Sequence, residues 1–271
     1  FVISNNVILM VLFWLLMGLI MAKLIGIDSE WKEAQHASKF ARLNYLGGAL
    51  FLAIGLGVLV YSTGALTKNE ILANLDAVPR WMSTISALCI VVAAIIQSAI
   101  FPFHRWLLSA MTSPTPASAL MHAGFVNGAG ILLTLFAPLL FTANLLLLIF
   151  IIGGLTAIVA QFSKLLQVNV KQKLACSTIA QMSFMVMQCG LGFFTAAIAH
   201  LILHGFYKAY LFLSAGEEIK NSLPKKPDSF VIKPFQVLFI IASAVLGGLL
   251  FGYSTGKELS LDSGIFLIFI V

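Results

Sequence analysis

Apolar runs as long as a bilayer is thick recur from one end of this 271-residue chain to the other. One of them is not purely apolar. The run AAIAHLILHGFYKAYLFLSAG spaces His200, His204 and Lys208 four residues apart, which stacks the three on one face of a helix. Ionisable groups inside a membrane are costly and usually mark an ion or proton path. The chain is 60% hydrophobic and 10% charged, with a mean hydropathy of +1.02. No soluble domain of this length hides so much apolar surface. The fold class is therefore an all-α polytopic membrane protein, and the His/His/Lys stripe predicts that it moves charge.

About nine spans are expected, near residues 3–27, 43–61, 82–111, 117–135, 139–162, 173–189, 195–215 and 230–251, with a last one starting at 265. Loops after the first, fifth and seventh carry ten Lys and Arg side chains, against three on the opposite side, which assigns the richer side to the cytoplasm. The chain opens at Phe1 and stops within SGIFLIFIV, so residues 1–271 read as a single transmembrane domain, an internal piece of a longer polypeptide. A net charge of +6 is normal for membrane-protein loops and implies no nucleic acid. Cys89, Cys176 and Cys189 lie in apolar stretches without a CxxC pair, as small buried hydrophobes do. No phosphate loop, nucleophile elbow or metal-ligand cluster is present in the pattern. No cofactor is expected in this chain, and a transporter subunit is expected rather than an enzyme.

All ten acidic residues fall in loops or at span ends, so a buried relay here must use His and Lys, bridged by Ser, Thr, Asn, Gln or water. The stripe itself has a second reading, as polar glue between helices. His122, among the small residues of ASALMHAGFVNGAG, is either a packed structural group or a shuttle that Asn127 orients. Lys171 and Lys173 open the sixth span, as orienting charges or as an entry point. Pro102, in SAIFPFHRW, either breaks a helix within the membrane or ends it, leaving 103–111 at the interface with His104, Arg105 and Trp106 as anchors.

Two stretches carry a family signal. FPFHRWLLSAMTSPTPASALMHAG, and VKQKLACSTIAQMSFMVMQCG followed by AAIAHLILHGFYKAYLFLSAG, resemble the antiporter-like membrane subunits of respiratory complex I and Mrp antiporters. They cover most of residues 97–216, in order. Within that superfamily, FPFHRWL, SPTPASALMHAG and FVNGAGILL look most like the DabB-type subunits of inorganic-carbon pumps.

The resemblance implies inverted five-helix repeats with discontinuous helices, Pro102 marking a mid-membrane break. It implies that His122, Lys171, His200, His204 and Lys208 occupy proton-transfer positions. It implies a heterodimer in a bacterial inner membrane, in which a proton or sodium gradient drives carbon dioxide or bicarbonate uptake. The partner would be a large DabA-type subunit with a carbonic-anhydrase-like zinc site, since nothing in this chain ligates zinc. The sequence departs from the respiratory relatives in one half. Leu15 and Gln97 stand where those carry Glu and Lys, and Tyr45 and Gly48 where they carry Arg and Asp. The alternatives are a complex I proton-pumping subunit, an Mrp-type sodium/proton antiporter subunit and a non-conducting membrane anchor.

Overall fold

A computed structural model describes residues 1–221, 234–235, 237–239, 241–243 and 245–246. The expected span at 230–251 falls partly outside these residues, and the one from 265 wholly outside. The chain divides into two units, Phe1–Leu213 and Ser214–Val271. Every described residue of the second is helical.

The first unit is a helical bundle. Its helices are α1 (Val7–Ile25), α2 (Lys32–Thr63), a short α3 (Lys68–Ala73), α4 (Arg80–Gln97), a short α5 (Arg105–Ser109), α6 (Thr115–Ala123), α7 (Gly128–Leu135), a short α8 (Ala137–Thr142), α9 (Leu146–Leu165), α10 (Val170–Gly190) and α11 (Phe194–Asn221). Among the described residues, six segments are long and apolar enough to cross a membrane: α1, α2, α4, the joined α6–α7, α9 and Phe194–Ser214 of α11. This is a multi-pass membrane protein. The antiparallel course of α1 and α2 is tied at both ends. Val7 N–H donates to the Leu66 carbonyl (3.0 Å) and Lys68 N–H to Asn5 (2.7 Å) on one side. On the other, the Gln35 amide donates to the carbonyls of Gly26 and Asp28 at 2.8 and 2.7 Å.

Three boundaries differ from the sequence expectation. Helix α2 begins at Lys32, not at 43, so Glu33, His36, Lys39 and Arg42 belong to the helix. No proline or glycine interrupts the chain there, and the charged turns simply extend beyond the apolar stretch. The fifth span begins at Leu146, after Pro138 and the left-handed Asn144 (φ 54°) delimit a separate short helix. The fourth span is not continuous. A 3-10 turn at Phe125–Asn127 separates α6 from α7, and the Asn127 side chain donates back to the Ala123 carbonyl at 2.7 Å.

That break lies against another. Helix α4 ends at Gln97, and residues 98–104, with a cis Phe101–Pro102 bond, are not helical. Carbonyls and amides freed in a membrane need protein partners, and side chains at the end of α4 supply them to the second break. Gln97 donates to the Phe125 carbonyl (3.4 Å), the Ser98 hydroxyl to Val126, and Ala129 N–H to the Ser98 oxygen (3.2 Å). The Trp106 indole takes the Ile96 carbonyl at 2.8 Å. Trp106, Leu107 and Ala110 are completely buried, so Trp106 is a core residue and not an interfacial anchor.

Helix α10 spans 21 residues but falls outside the apolar set, because it carries Gln, Ser, Thr and Lys along its length. It can do so because its polar side chains turn inward: Thr178, Ser183 and Gln188 are completely buried. It packs tightly on α9. A Cβ at Gly153 would lie 2.6 Å from the Met187 backbone nitrogen and 2.7 Å from the Ser183 carbonyl. Backbone atoms cannot step aside as a side-chain tip can. Gly153→Ala is therefore expected to destabilise the bundle by about 1–3 kcal/mol, read as a lower thermal midpoint in detergent. An unchanged midpoint would mean that α9 and α10 separate freely.

Candidate proton-transfer site

Four-residue spacing on α11 brings His200, His204 and Lys208 to one face, and that face points inward: their exposures are 0%, 2% and 0%. The Lys208 Nζ donates to the Leu174 carbonyl (3.2 Å) and to the Ser177 hydroxyl, both on α10, with the Tyr207 ring 5.9 Å away. Its partners among these contacts are neutral. His200, two turns earlier, shares a 3.0 Å bond between Nδ1 and the Gln188 amide oxygen. The His200 and His204 rings stand edge to face, 6.1 Å apart. Among the described residues, His204 has no partner on either ring nitrogen, and His200 has none on Nε2.

The file runs along α10 from Leu174 to Gln188. At 1.5 Å per residue those fourteen steps cover about 21 Å, most of a hydrocarbon core about 30 Å thick. Buried imidazole nitrogens need hydrogen-bond partners, and a row of such nitrogens presents sites where protons bind and leave. His122 joins the file from α6. It is completely buried, its Nδ1 lies 3.0 Å from the Thr178 hydroxyl, and its ring stacks on Phe212 (4.3 Å between centroids, 16° between planes). Phe212 lies one turn beyond Lys208 on α11.

Lys171 stands apart from this file, at the start of α10. Its Nζ donates to the Ser113 carbonyl at 2.9 Å, and the Ser113 and Ser118 hydroxyls are 2.8 Å apart. Pro102 is exposed. The next polar group, His104, lines a cavity of about 160 Å3 together with Thr156, Ser163, Gln167 and Cys176. His104 Nδ1 is buried without a partner among the described residues.

The four positions that depart from the respiratory pattern are occupied by packing. Tyr45 is buried edge-on between Trp106 and Phe125, each 4.9 Å away. Gly48 faces Ile96, Leu15 is half-buried, and Gln97 is spent on the Phe125 carbonyl.

Reading the sequence residue by residue missed Ser177, Thr178, Gln188 and Gly205. Their signal was the low apolarity of α10, a helix that nonetheless crosses the bundle. Polar residues that recur on a buried helix must bond something, and here they bond the basic residues of α6 and α11. Gly205 is legible only in three dimensions, because a Cβ there would sit 2.8 Å from the Ala123 carbonyl at the α6–α7 break.

Comparison with known proteins places these features. The profile of the family described as NADH:quinone oxidoreductase/Mrp antiporter, TM matches residues 4–251. The chain is 41% identical over 223 residues to the probable inorganic carbon transporter subunit DabB of Bacillus subtilis, covering 80% of this chain and 43% of that protein. It is 34% identical over 224 residues to the NADH-quinone oxidoreductase subunit L of Pseudomonas aeruginosa, covering 80% of this chain and 36% of that one. The chain thus spans less than half the length of these relatives. A chain in the structure of the membrane-bound sulfane sulfur reductase, an archaeal respiratory membrane complex, superposes with a TM-score of 0.74 over 98% of this chain and 56% of that chain, at 20% identity. That likeness is one of fold. Long helices interrupted in two facing places, a polar helix packed against α9 with its polar side chains buried, and a profile match over most of the sequence agree: the chain belongs to the NADH:quinone oxidoreductase/Mrp antiporter transmembrane family.

Proposed function

We propose that this chain is part of a DabB-type subunit that conducts a cation, a proton by preference, and so energises inorganic-carbon uptake in a bacterial inner membrane. The observation that carries the reading is the buried file of Lys208, His204 and His200 with His122 beside it. Imidazole changes charge near neutral pH, and an amine held by a carbonyl and a hydroxyl can give and regain a proton without leaving its place. Protons pass along this file with water bridging the imidazole nitrogens, and Lys171 links it to the cytoplasmic side. Similarity to a protein named as a carbon-transporter subunit supplies the substrate class. The partner is a large DabA-type subunit that holds zinc and carries the carbon chemistry. This chain supplies the ion path and the coupling contacts.

A second reading, a respiratory proton pump, draws on the similarity to subunit L. Leu15 and Gln97 weigh against it, since neither can form the Glu–Lys pair expected there. A sodium/proton antiporter subunit predicts sodium-dependent proton flux in vesicles. A membrane anchor predicts no flux at all.

The test is purification of the full-length protein in mild detergent, with identification and zinc analysis of what accompanies it. A large zinc-containing partner in one-to-one ratio supports the carbon-pump reading. Flavin or iron–sulfur subunits, or several small antiporter subunits, would overturn it.

A further inference from the structure

The Leu174 carbonyl receives more donors than it can hold. The Ser177 hydroxyl lies 3.1 Å from it, the Thr178 hydroxyl 3.0 Å and the Lys208 Nζ 3.2 Å, while a carbonyl oxygen offers two lone pairs. These donors compete, and the competition reaches His122. Thr178 has one hydroxyl hydrogen. When it points to Leu174, only oxygen lone pairs face His122 Nδ1, so Nδ1 must carry the hydrogen and Nε2 is left as the basic atom. When Lys208 takes the carbonyl, the Thr178 hydrogen is free to turn to His122. Nδ1 then accepts, and the ring hydrogen sits on Nε2. Phe212 against the ring face and the 3.0 Å contact to Thr178 hold the imidazole in place meanwhile. Only hydroxyl rotation and relocation of one ring hydrogen are needed. One proton leaves one ring nitrogen and one arrives at the other, so the net charge of the ring is unchanged.

We propose that Thr178 is a positioning residue that couples Lys208 to His122: whether Lys208 holds the Leu174 carbonyl sets the direction of the Thr178 hydroxyl, and hence which nitrogen of His122 exchanges protons. This rests on the reading of Lys208 and His122 as members of one path. It also gives that path an order, because the exchange atom of His122 depends on the state of Lys208. Neither helix α6 nor helix α11 could impose this alone, since the switch sits on α10 between them.

The test uses the full-length protein in lipid, with 15N-labelled histidine and the His122 signals assigned by their loss in His122→Gln. Removing the competitor in Lys208→Met is expected to drive His122 toward the Nδ1–H form. The same change in a Thr178→Val background is expected to leave the ring nitrogen shifts where they were. Thr178→Ser, which keeps the hydroxyl, is expected to restore the Lys208 dependence. In vesicles, proton flux is expected to fall about tenfold in Thr178→Val and to recover in Thr178→Ser, a split that lost packing alone would not give. Identical His122 shifts in the wild type and Lys208→Met would overturn the coupling. If the wild-type protein carries no proton flux while the tautomer shift is present, the transport reading fails and the coupling stands.

Discussion

Lys208→Met is expected to stop charge movement while leaving the protein folded. Methionine matches the length and apolar bulk of the lysine stem, and it carries none of the desolvation cost of an ammonium buried among neutral groups. The groups left behind are not orphaned. Ser177 still donates to Leu174 at 3.1 Å, and so does Thr178 at 3.0 Å. The loss therefore falls on transport. Flux in vesicles of the full-length protein is expected to drop on the order of 10²-fold, the scale of losing a positioned proton carrier, with an unchanged thermal midpoint and an unchanged partner on purification. Full carbon-dependent growth in this variant would refute the relay and favour the anchor reading.

Gly205→Ala is expected to have the next largest effect, by a different route. The added methyl would meet the Ala123 carbonyl at 2.8 Å and the Asn127 side-chain nitrogen at 3.7 Å. That carbonyl already accepts the Asn127 amide at 2.7 Å, so α11 must move off the α6–α7 break or the bond must yield. Overpacking of this kind costs about 1–3 kcal/mol. It also shifts Phe212 and Lys208, which ride on the same helix, relative to His122. Flux is expected to fall about tenfold along with a lower thermal midpoint. Gly47→Ala serves as the control, because nothing lies within 4 Å of a Cβ there. Alanine in a helix is favoured over glycine by roughly 0.5–1 kcal/mol, so this variant is expected to be at least as stable as the wild type. Equal behaviour of the two variants would show that the close approach at Gly205 is not needed.

The helical class and the inward face of α11 were legible because they depend on local spacing: apolar runs of bilayer length, and basic residues at intervals of four. The family was legible because its motifs are contiguous in the chain. The second break was not seen as such. Gly124 reads as small-residue packing and Asn127 as a group that orients His122, and only the return of the Asn127 amide to Ala123 marks the helix end there. Helix α10 was found, but the roles of Ser177 and Thr178 were not, because a hydroxyl on a helix bonds its own turn by default. Only the approach of α6 and α11 gives those hydroxyls a second partner. Leu15 and Gln97 could be flagged as departures from sequence. What fills the space, the Tyr45, Trp106 and Phe125 cluster, required the fold.

The two helix breaks have a consequence for how the chain enters the membrane. Side chains at the end of α4 satisfy the backbone of the second break: Gln97 the carbonyl of Phe125, and Ser98 the carbonyl of Val126 and the N–H of Ala129. Each unsatisfied backbone group in hydrocarbon costs several kcal/mol. The α6–α7 segment thus cannot be released into lipid as a finished piece without the end of α4. With 28 to 31 residues between the bonded groups, the earlier segment is expected to stay beside the insertion machinery until the later one has been made, so that the two enter lipid as a pair.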